Sequence, residues 1–298
     1  MLAVEYARVF RGRVVILHVI PPTAFPEGTR VLPVDVSDPI DLAEYVSARA
    51  RRLLDEHFSS VLTAGAEVRK EARSGHAVET ILRAIEECGA KLVVVGTHGR
   101  TGVARLVLGS VAEEVLRRSP VPVMLVHEPV IDGQEHNRAF ADAATLKKIL
   151  VPIDFGPASD AAVEQAVTLA SASSAELTLL HVYEAPVFAY PGAPFIAIED
   201  ISIALEKSAR AGIDTVVHQL TGRVPRVAGL IRQGSAWRHV NEVAQEIRAD
   251  LIVLGTHGRR SVPRALIGSV AEKVVRTSLV PVLTVHATES TAATPAKT

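Results

Sequence analysis

The chain has 298 residues, of which 48% are hydrophobic and 22% are charged, as is typical of globular proteins with a substantial core. This length exceeds that of most single domains, so we expect two domains. Lys and Arg number 32 against 33 Asp and Glu, so no basic excess indicates a nucleic-acid surface.

The cysteine content and the lengths of the apolar runs indicate the cellular compartment. Cys88 is the single cysteine of the sequence, which excludes an intrachain disulfide and favours a reducing compartment. Near Met1 the sequence does not resemble a signal peptide, because Glu5, Arg8 and Arg11 interrupt it before an apolar run develops. No apolar run approaches the roughly 20 residues that span a bilayer. We therefore predict a cytoplasmic protein whose partners include neither nucleic acid nor a membrane.

The first half of the chain alternates short apolar runs with helical patterns. In chain order the predicted elements are a strand at 14–19, helices around 42–54 and 78–85, a strand at 92–95, a helix from about 111 and a strand at 121–126. Short, continuously apolar strands are typical of a parallel sheet that is buried on both faces. The alternation predicts an α/β fold with a doubly wound parallel sheet and right-handed crossovers.

The second half repeats the first. Three segments have similar sequences 159 positions apart: residues 92–99, 109–113 and 119–123 match residues 251–258, 268–272 and 278–282. Residues 15–19 return 163 positions later, at 178–182, and the difference of four falls in the loops between these matches. Four matches in the same order indicate a duplication.

The repeat predicts the domain organisation. We expect an N-terminal domain at 1–127 and a linker at 128–148, where large apolar residues are few. A C-terminal domain follows at 149–286, and a small, polar tail at 287–298 is expected to be disordered.

One glycine pattern carries the chemistry of both copies. A buried strand ends in Gly-Thr-His-Gly, nine residues follow, and Gly-Ser then opens a helix. The residues are Gly96, Gly99, Gly109 and Ser110 in the first copy, and Gly255, Gly258, Gly268 and Ser269 in the second. Ligands of open α/β sheets bind at the carboxyl ends of strands, glycine lets the backbone approach a phosphate, and a helix N-terminus favours an anion. The pattern therefore predicts a polyphosphate site.

Simpler explanations exist for parts of this pattern. Ser110 with Glu113, and Ser269 with Glu272, have the spacing of a capping box, which needs no ligand. A glycine after a strand is also an ordinary turn residue. The complete spacing, present twice, favours phosphate binding over capping alone.

The pattern resembles that of the universal stress protein family, in its tandem, ATP-binding form. In the second copy the resemblance covers 149–286, through Ile149-Leu-Val-Pro-Ile-Asp154, His181-Val182, the glycine pattern and the final strand at 280–285. It implies two Rossmann-like domains of the adenine nucleotide alpha hydrolase-like type. It also implies that the domains pair through their last strands, either as a dimer or within a tandem chain.

The resemblance also implies which residues bind the nucleotide. In the second copy, adenosine contacts are expected from Pro152, Ile153, Asp154 and Val182, and contacts on the phosphate side from Leu254, Gly255, His257, Gly258, Gly268, Ser269 and Val270. The corresponding positions of the first copy are Val19, Val95, Gly96, His98, Gly99, Gly109, Ser110 and Val111. The implied cofactor is ATP, with Mg²⁺ held through its phosphates.

The first copy lacks its opening strand. Its beginning, Ala3-Val-Glu5, resembles Ala162-Val-Glu164, and residues 149–161 have no counterpart before Met1. The missing strand is central in a sheet of this type, so we expect a gap in the sheet and a weak or absent nucleotide site. A start placed too late or a truncated chain, and a real domain with a degraded site, both explain the departure.

Three functional classes remain open. The favoured one is an ATP-binding stress-response module whose nucleotide state tunes its stability or its contact with an unknown protein partner, with homodimerisation possible. The second is an enzyme, a slow ATPase or another adenine-nucleotide enzyme of the same fold. Against catalysis, His98 and His257 have no carboxylate or nucleophile at matching positions, so we assign neither catalytic residues nor metal ligands. The third is a nucleotide-free dimeric scaffold, which the retained glycines disfavour.

Overall fold

A computed structural model describes residues 2–22, 24–33, 37–58, 66–97, 108–127, 146–184, 196–256 and 267–286. The described residues group into two compact units, one extending to Lys91 and the other beginning at Leu92. The last third of the first sequence copy thus belongs structurally with the second copy. The domain boundaries at 127 and 149 stay predictions.

The first unit contains a two-stranded parallel sheet. Its elements are α1 (Leu2–Val9), β1 (Arg13–Ile20), β2 (Arg30–Val31), β3 (Ile40–Asp41), α2 (Leu42–His57), β4 (Glu67–Ser74) and α3 (Ala77–Cys88). Strands β1 and β4 pair in parallel from Arg13–Glu67 to Ile20–Ser74, and β2 pairs antiparallel with β3. Asp41 is the N-cap of helix α2, and its carboxylate accepts hydrogen bonds from the backbone N–H groups of Ala43 and Glu44.

The second unit is built on a seven-stranded sheet. Its elements are β5 (Val93–Gly96), α4 (Ser110–Arg118), β6 (Val123–Val126), β7 (Lys148–Ile153), α5 (Pro157–Ser173), β8 (Glu176–Tyr183), α6 (Ile196–Leu220), β9 (Arg226–Gln233), α7 (Ala236–Glu246), β10 (Leu251–Gly255), α8 (Ser269–Thr277) and β11 (Val282–Val285). The strand order is β5-β6-β11-β10-β7-β8-β9. Every neighbouring pair is parallel except β6 and β11.

The last strands of the two copies pair with each other, as the resemblance implies. Strands β6 and β11 run antiparallel, with Leu283 opposite Met124. The Thr284 hydroxyl donates a hydrogen bond of 3.0 Å to the carbonyl of Val123 and is itself fully buried. This pairing protects the edge that each last strand would otherwise expose.

Helix α5 packs closely on the second copy's sheet because its inner face is made of alanine. Ala158, Ala162, Ala166 and Ala170 recur every four residues, which places them on one face, and all four are buried. Beneath the helix, the strand residues Ile149, Leu150 and Val151 of β7 are completely buried. Small side chains allow the helix to approach the strand ends, where the candidate site lies.

The structure confirms the gap expected in the first copy. In the second copy β7 lies between β8 and β10, whereas the counterparts of these neighbours, β1 and β5, belong to separate sheets among the described strands. Burial follows the same division, since β10 is buried along Leu251–Leu254 and β5 is only half-buried along Val93–Val95. The expectation that β1 is buried on both faces is wrong: its residues from Val14 to Val19 are half-buried.

Among the described helices, none has the length and apolar character that crossing a membrane requires.

Candidate nucleotide-binding site

The candidate site lies where β7, β8 and β10 end. These strands are parallel neighbours in the second unit, with Ile153 opposite His181 and Ile252 opposite Leu150. Because parallel strands end at the same edge of a sheet, the structure brings one group of the predicted residues together there. That group is Pro152, Ile153, Asp154, Val182, Leu254 and Gly255. Their role in binding stays a prediction.

A tight turn joins β7 to helix α5. The Asp154 carboxylate accepts a hydrogen bond of 3.0 Å from the backbone N–H of Gly156, the residue that caps α5. The Ser159 hydroxyl lies 3.1 Å from the same N–H and donates to the Gly156 carbonyl at 2.9 Å. Between them, Phe155 has a φ of 61°, in the left-handed region that side chains rarely adopt. The turn is therefore held on both sides of a strained residue.

This corner of the site is acidic. Partial desolvation, followed by the negative charges of Asp154 and Glu164, raises the pKa of Asp160 on the first turn of α5. Arg223 partly offsets the charge, because it makes two hydrogen bonds, of 3.0 and 2.7 Å, to the Glu164 carboxylate. Those bonds lower the pKa of Glu164. The end of β7 is consequently better suited to a neutral or cationic group than to a phosphate.

On the other side, Thr256 anchors the loop that follows β10. Its N–H donates to the Val285 carbonyl at 3.0 Å, its carbonyl accepts from the Gly268 N–H at 2.6 Å, and its hydroxyl lies 3.0 Å from His286 Nδ1. The side chain of Thr256 is completely buried. These bonds bring the two ends of the glycine pattern together at Thr256 and Gly268.

The first copy closes its loop in the same way. The Thr97 N–H donates to the Val126 carbonyl at 3.0 Å, and the Gly109 N–H donates to the Thr97 carbonyl at 2.8 Å. His98 and Gly99, like His257 and Gly258 of the second copy, lie outside the described residues. The structure places Val95, Gly96, Gly109, Ser110 and Val111 in the second unit, and Val19 in the first. 

The N-cap of the helix that follows each loop is a glycine rather than a serine. Gly268 is the N-cap of α8, with φ −61° and ψ 144°, and Gly109 is the N-cap of α4, with φ −62° and ψ 142°. Among the described residues, no side chain makes a cap hydrogen bond to either helix. The capping-box interpretation is therefore wrong, because Ser269 and Ser110 lie one residue too far along the helix. The uncapped start leaves N–H groups that suit an anion.

Gly255 has a structural reason to be glycine. A Cβ on this residue would lie 2.6 Å from both the carbonyl carbon and the oxygen of Ala158, in the first turn of α5. Backbone atoms cannot yield at that distance, so α5 can pass over the end of β10 only if residue 255 lacks a side chain. The sequence interpretation assigned this glycine to the approach of a phosphate, whereas the observed contact is with a helix.

Sequence reasoning missed Thr256 and His286 as residues that support the loop. The signal was present, because Thr97 and His127 occupy the matching positions of the first copy, 159 residues earlier. Thr256 directly follows Gly255, so its local sequence indicates only a turn. Its buried hydrogen bonds depend on the last strand, which lies about 30 residues further along the chain.

A separate cavity lies between α4 and α8 and shares none of the predicted residues. It has a volume of about 120 Å³ and is lined in matching pairs by Leu108 and Ile267, Glu113 and Glu272, Leu116 and Val275, and Arg117 and Arg276. Arg276 lies 3.5 Å from Glu113 and 3.0 Å from Glu272, and Arg117 pairs with Glu114. The lining charges thus neutralise one another.

Known proteins match this chain along most of its length. The model of the universal stress protein family matches residues 2–127 and 145–286. A universal stress protein of Mycobacterium tuberculosis (strain H37Rv) is 30% identical over 198 residues, which make up 65% of this chain and 61% of that protein. The match therefore spans less than two thirds of that relative. A universal stress protein of Mycolicibacterium smegmatis is 26% identical over 292 residues, which cover 95% of this chain and 90% of that protein.

A solved structure gives the same result for the fold. The crystal structure of a universal stress protein from Archaeoglobus fulgidus superposes with a TM-score of 0.66 and 23% identity, covering 96% of this chain and 93% of that chain. At this identity the likeness shows the fold alone. With two successive matches to the family model, the chain belongs to the universal stress protein family in tandem form.

Proposed function

We propose that this chain binds ATP at the strand ends of its second copy and acts as a nucleotide-dependent regulatory protein in the stress response. The observation that carries the proposal is the uncapped start of α8, on a loop closed at Thr256, at the end of a strand next to β7. Uncapped helix N–H groups at the carboxyl edge of a parallel sheet are a recurrent phosphate-binding arrangement.

The proposed phosphate donors begin at Ser269. The Gly268 N–H is already engaged with the Thr256 carbonyl at 2.6 Å, so the N–H groups of Ser269, Val270 and Ala271 are the first three of the helix. The side chains of Ser269 and Val270 are exposed, so this end of the helix is open to a ligand. ATP supplies the required negative charge, and Mg²⁺ would be held mainly through the phosphates.

The proposed nucleoside end lies at β7 and β8, with Ile153, Asp154 and Val182. The acidic corner around Asp154 and Asp160 would repel a phosphate and can accept hydrogen bonds from neutral ribose and adenine groups. Charge therefore supports one orientation of ATP, with the nucleoside near Asp154 and the phosphates near α8. We propose no turnover, and the protein's own groups are assigned only to binding.

We further propose that the first copy holds no nucleotide of its own, although its loop closes on Thr97 and Gly109 as the second copy's does. The lone Cys88 fits action in the reducing cytoplasm. We also propose that two chains assemble into a homodimer. The proposed domain boundaries are those that the repeat predicts, 1–127 and 149–286.

The proposal is tested by equal substitutions in the two copies. Gly268→Asp places a favoured N-cap residue at backbone angles that suit it, so α8 should remain as stable or gain slightly. Its carboxylate would accept the N–H groups proposed for the phosphates and would repel them. We expect ATP affinity to fall by about 100-fold, which corresponds to about 2.7 kcal/mol. Equilibrium dialysis with Mg-ATP measures this change, and chromatography of nucleotide released from denatured protein measures what co-purifies.

Gly109→Asp is the matched control, because Gly109 caps α4 with nearly the same backbone angles. We expect wild type and this variant to bind one ATP per chain with equal affinity. Binding of two ATP molecules by wild type would show that the first copy also works. The proposal fails if wild type binds no ATP, or if Gly268→Asp binds it as tightly as wild type does. Phosphate release that depends on this site would instead indicate an ATPase.

A further inference from the structure

Phe155 has a backbone conformation that a phenylalanine adopts only when its surroundings impose it. Its φ of 61° is in the left-handed region, where the Cβ of a side chain crowds the backbone. The residue lies between Asp154, which follows β7, and Gly156, which caps α5. Strain of this kind persists at positions that the surrounding packing over-determines and that often have a function.

Contacts with His181 hold one side of the Phe155 ring. The ring centroids lie 4.5 Å apart and the planes are inclined by 43°, a favourable geometry for an aromatic pair. His181 is itself oriented by a 2.8 Å hydrogen bond between its Nδ1 and the Ile153 carbonyl. Because a carbonyl only accepts hydrogen bonds, Nδ1 is the protonated nitrogen. The histidine thus links the end of β7 to the Phe155 ring.

Gly212 of helix α6 meets the edge of the same ring. A Cβ on Gly212 would lie 2.8 Å from Phe155 Cζ, and 3.2 and 3.3 Å from its two Cε atoms. Glycine inside a helix is unfavourable compared with alanine, so its presence in the interior of a long helix calls for a packing reason. The Phe155 ring supplies that reason.

We infer that Phe155 is a positioning residue that holds Asp154 at the nucleoside end of the site, and that Gly212 is required because the ring needs the space beside it. The inference rests on the proposed nucleotide site and assigns roles to three residues outside it. His181 and Gly212 fix the ring, the ring fixes the left-handed turn, and the turn directs Asp154. No contact between Phe155 and the nucleotide is required.

The inference predicts coupling between residues 155 and 212. Gly212→Ala should displace the ring and raise the Kd for ATP by about tenfold, the scale of one lost aromatic contact. Phe155→Leu should raise it by a similar factor, because leucine cannot maintain the contact with His181. In the double variant the ring that alanine would displace is gone, so adding Gly212→Ala to Phe155→Leu should change the Kd by less than about twofold. Isothermal titration of the four full-length proteins with Mg-ATP gives these values.

Gly229→Ala is the matched control. A Cβ on Gly229, in β9, would press on the same helix α6 at Val217 (3.0 Å) and Ile213 (3.1 Å) without meeting Phe155. We expect its ATP affinity to equal that of wild type. A loss as large as that of Gly212→Ala would show that any shift of α6 weakens binding, and would overturn the inference. Strictly additive effects of the substitutions at 155 and 212 would also overturn it.

A second measurement separates this inference from the proposed function. The imidazole resonances of His181 sense the ring current of Phe155, so NMR of the nucleotide-free protein reports their contact directly. Gly212→Ala should shift these resonances, and Gly229→Ala should leave them in place. If wild type binds no ATP but the shifts occur as expected, the proposed function fails and the ring placement stands. If ATP binds and Gly212→Ala changes neither the resonances nor the Kd, the inference fails alone.

Discussion

The two copies share one half of the candidate site and differ in the other. On the phosphate side, both loops close through the same pair of backbone hydrogen bonds, at Thr97 and Gly109 in the first copy and at Thr256 and Gly268 in the second. On the proposed nucleoside side, the second copy has β7 between β8 and β10, whereas no described strand lies between the matching strands β1 and β5 of the first copy. That strand, β7, carries the turn at Asp154.

The difference shows which parts of this fold are self-sufficient. The loop needs only a strand, the last strand beside it and the helix that follows, all of which each copy retains within about 35 residues. The proposed nucleoside side needs β7, whose neighbours β8 and β10 come from distant parts of the copy. A segment can therefore keep the glycine pattern and its geometry without the remainder of the site. The presence of the motif is not sufficient evidence for nucleotide binding.

The largest difference between the copies should appear at the glycine that ends each loop-bearing strand. Gly255→Ala would force a Cβ to within 2.6 Å of the Ala158 backbone, so we expect unfolding free energy to fall by about 2–3 kcal/mol. Gly96, its counterpart, is exposed, and Gly96→Ala should change stability by about 0.5 kcal/mol or less. Urea unfolding followed by circular dichroism measures both, since both residues lie in the second unit. Equal losses would contradict the idea that helix packing is what Gly255 serves.

A smaller difference is expected between the histidines of the matching strands. His181→Ala removes the hydrogen bond to Ile153 and the contact with Phe155, which should cost about 1–2 kcal/mol of stability. The backbone of its counterpart His18 pairs with β4, but its imidazole makes no hydrogen bond within the part of the chain that the structure describes, and His18→Ala should cost about 0.5 kcal/mol. Thermal unfolding of both variants tests the pair. A larger effect at His18 would mean that its imidazole has an equally important role.

The smallest effect is expected from an ion pair of the second copy. Arg223 bonds to Glu164 on α5 and lowers the pKa of its carboxyl, so the pair stabilises the protein above the ordinary glutamate range and less as pH falls through the lowered pKa. Both side chains are substantially exposed, so Glu164→Gln should cost only about 0.5 kcal/mol at pH 7. Urea unfolding at pH 7 and pH 3 measures the cost, which should be smaller at the lower pH, where more of the Glu164 carboxyl is protonated. High salt should also reduce it, and a cost independent of both pH and salt would exclude an electrostatic origin.

Sequence periodicity predicted most of the elements in the regions it addressed. Strands at 14–19, 92–95 and 121–126 appear as β1, β5 and β6 with ends shifted by one or two residues, and the opening strand of the second copy appears as β7. It did not reveal β4, because charges at Glu67, Arg69 and Arg73 interrupt the apolar pattern there. That strand is held by pairing with β1, a contact between segments about 50 residues apart.

As with the helices and strands, the sequence predicted part of the candidate site. The glycine pattern located the loops and the helix starts, since local backbone demands leave a local signal. It assigned the wrong capping residue, because one position along a helix separates an N-cap from the first helical residue, and only backbone angles tell them apart. It also gave no indication of the contact between Phe155 and Gly212, which are 57 positions apart.

The sequence by itself determined the duplication, the α/β alternation and the resemblance to one family. Each follows from local pattern or from comparison of one segment with another. Only the tertiary structure decided that the last third of the first copy packs with the second, that Gly255 serves a helix, and that Thr256 and His286 support the loop. These features depend on which distant side chains and backbone atoms meet, and that information exists only once the chain has folded.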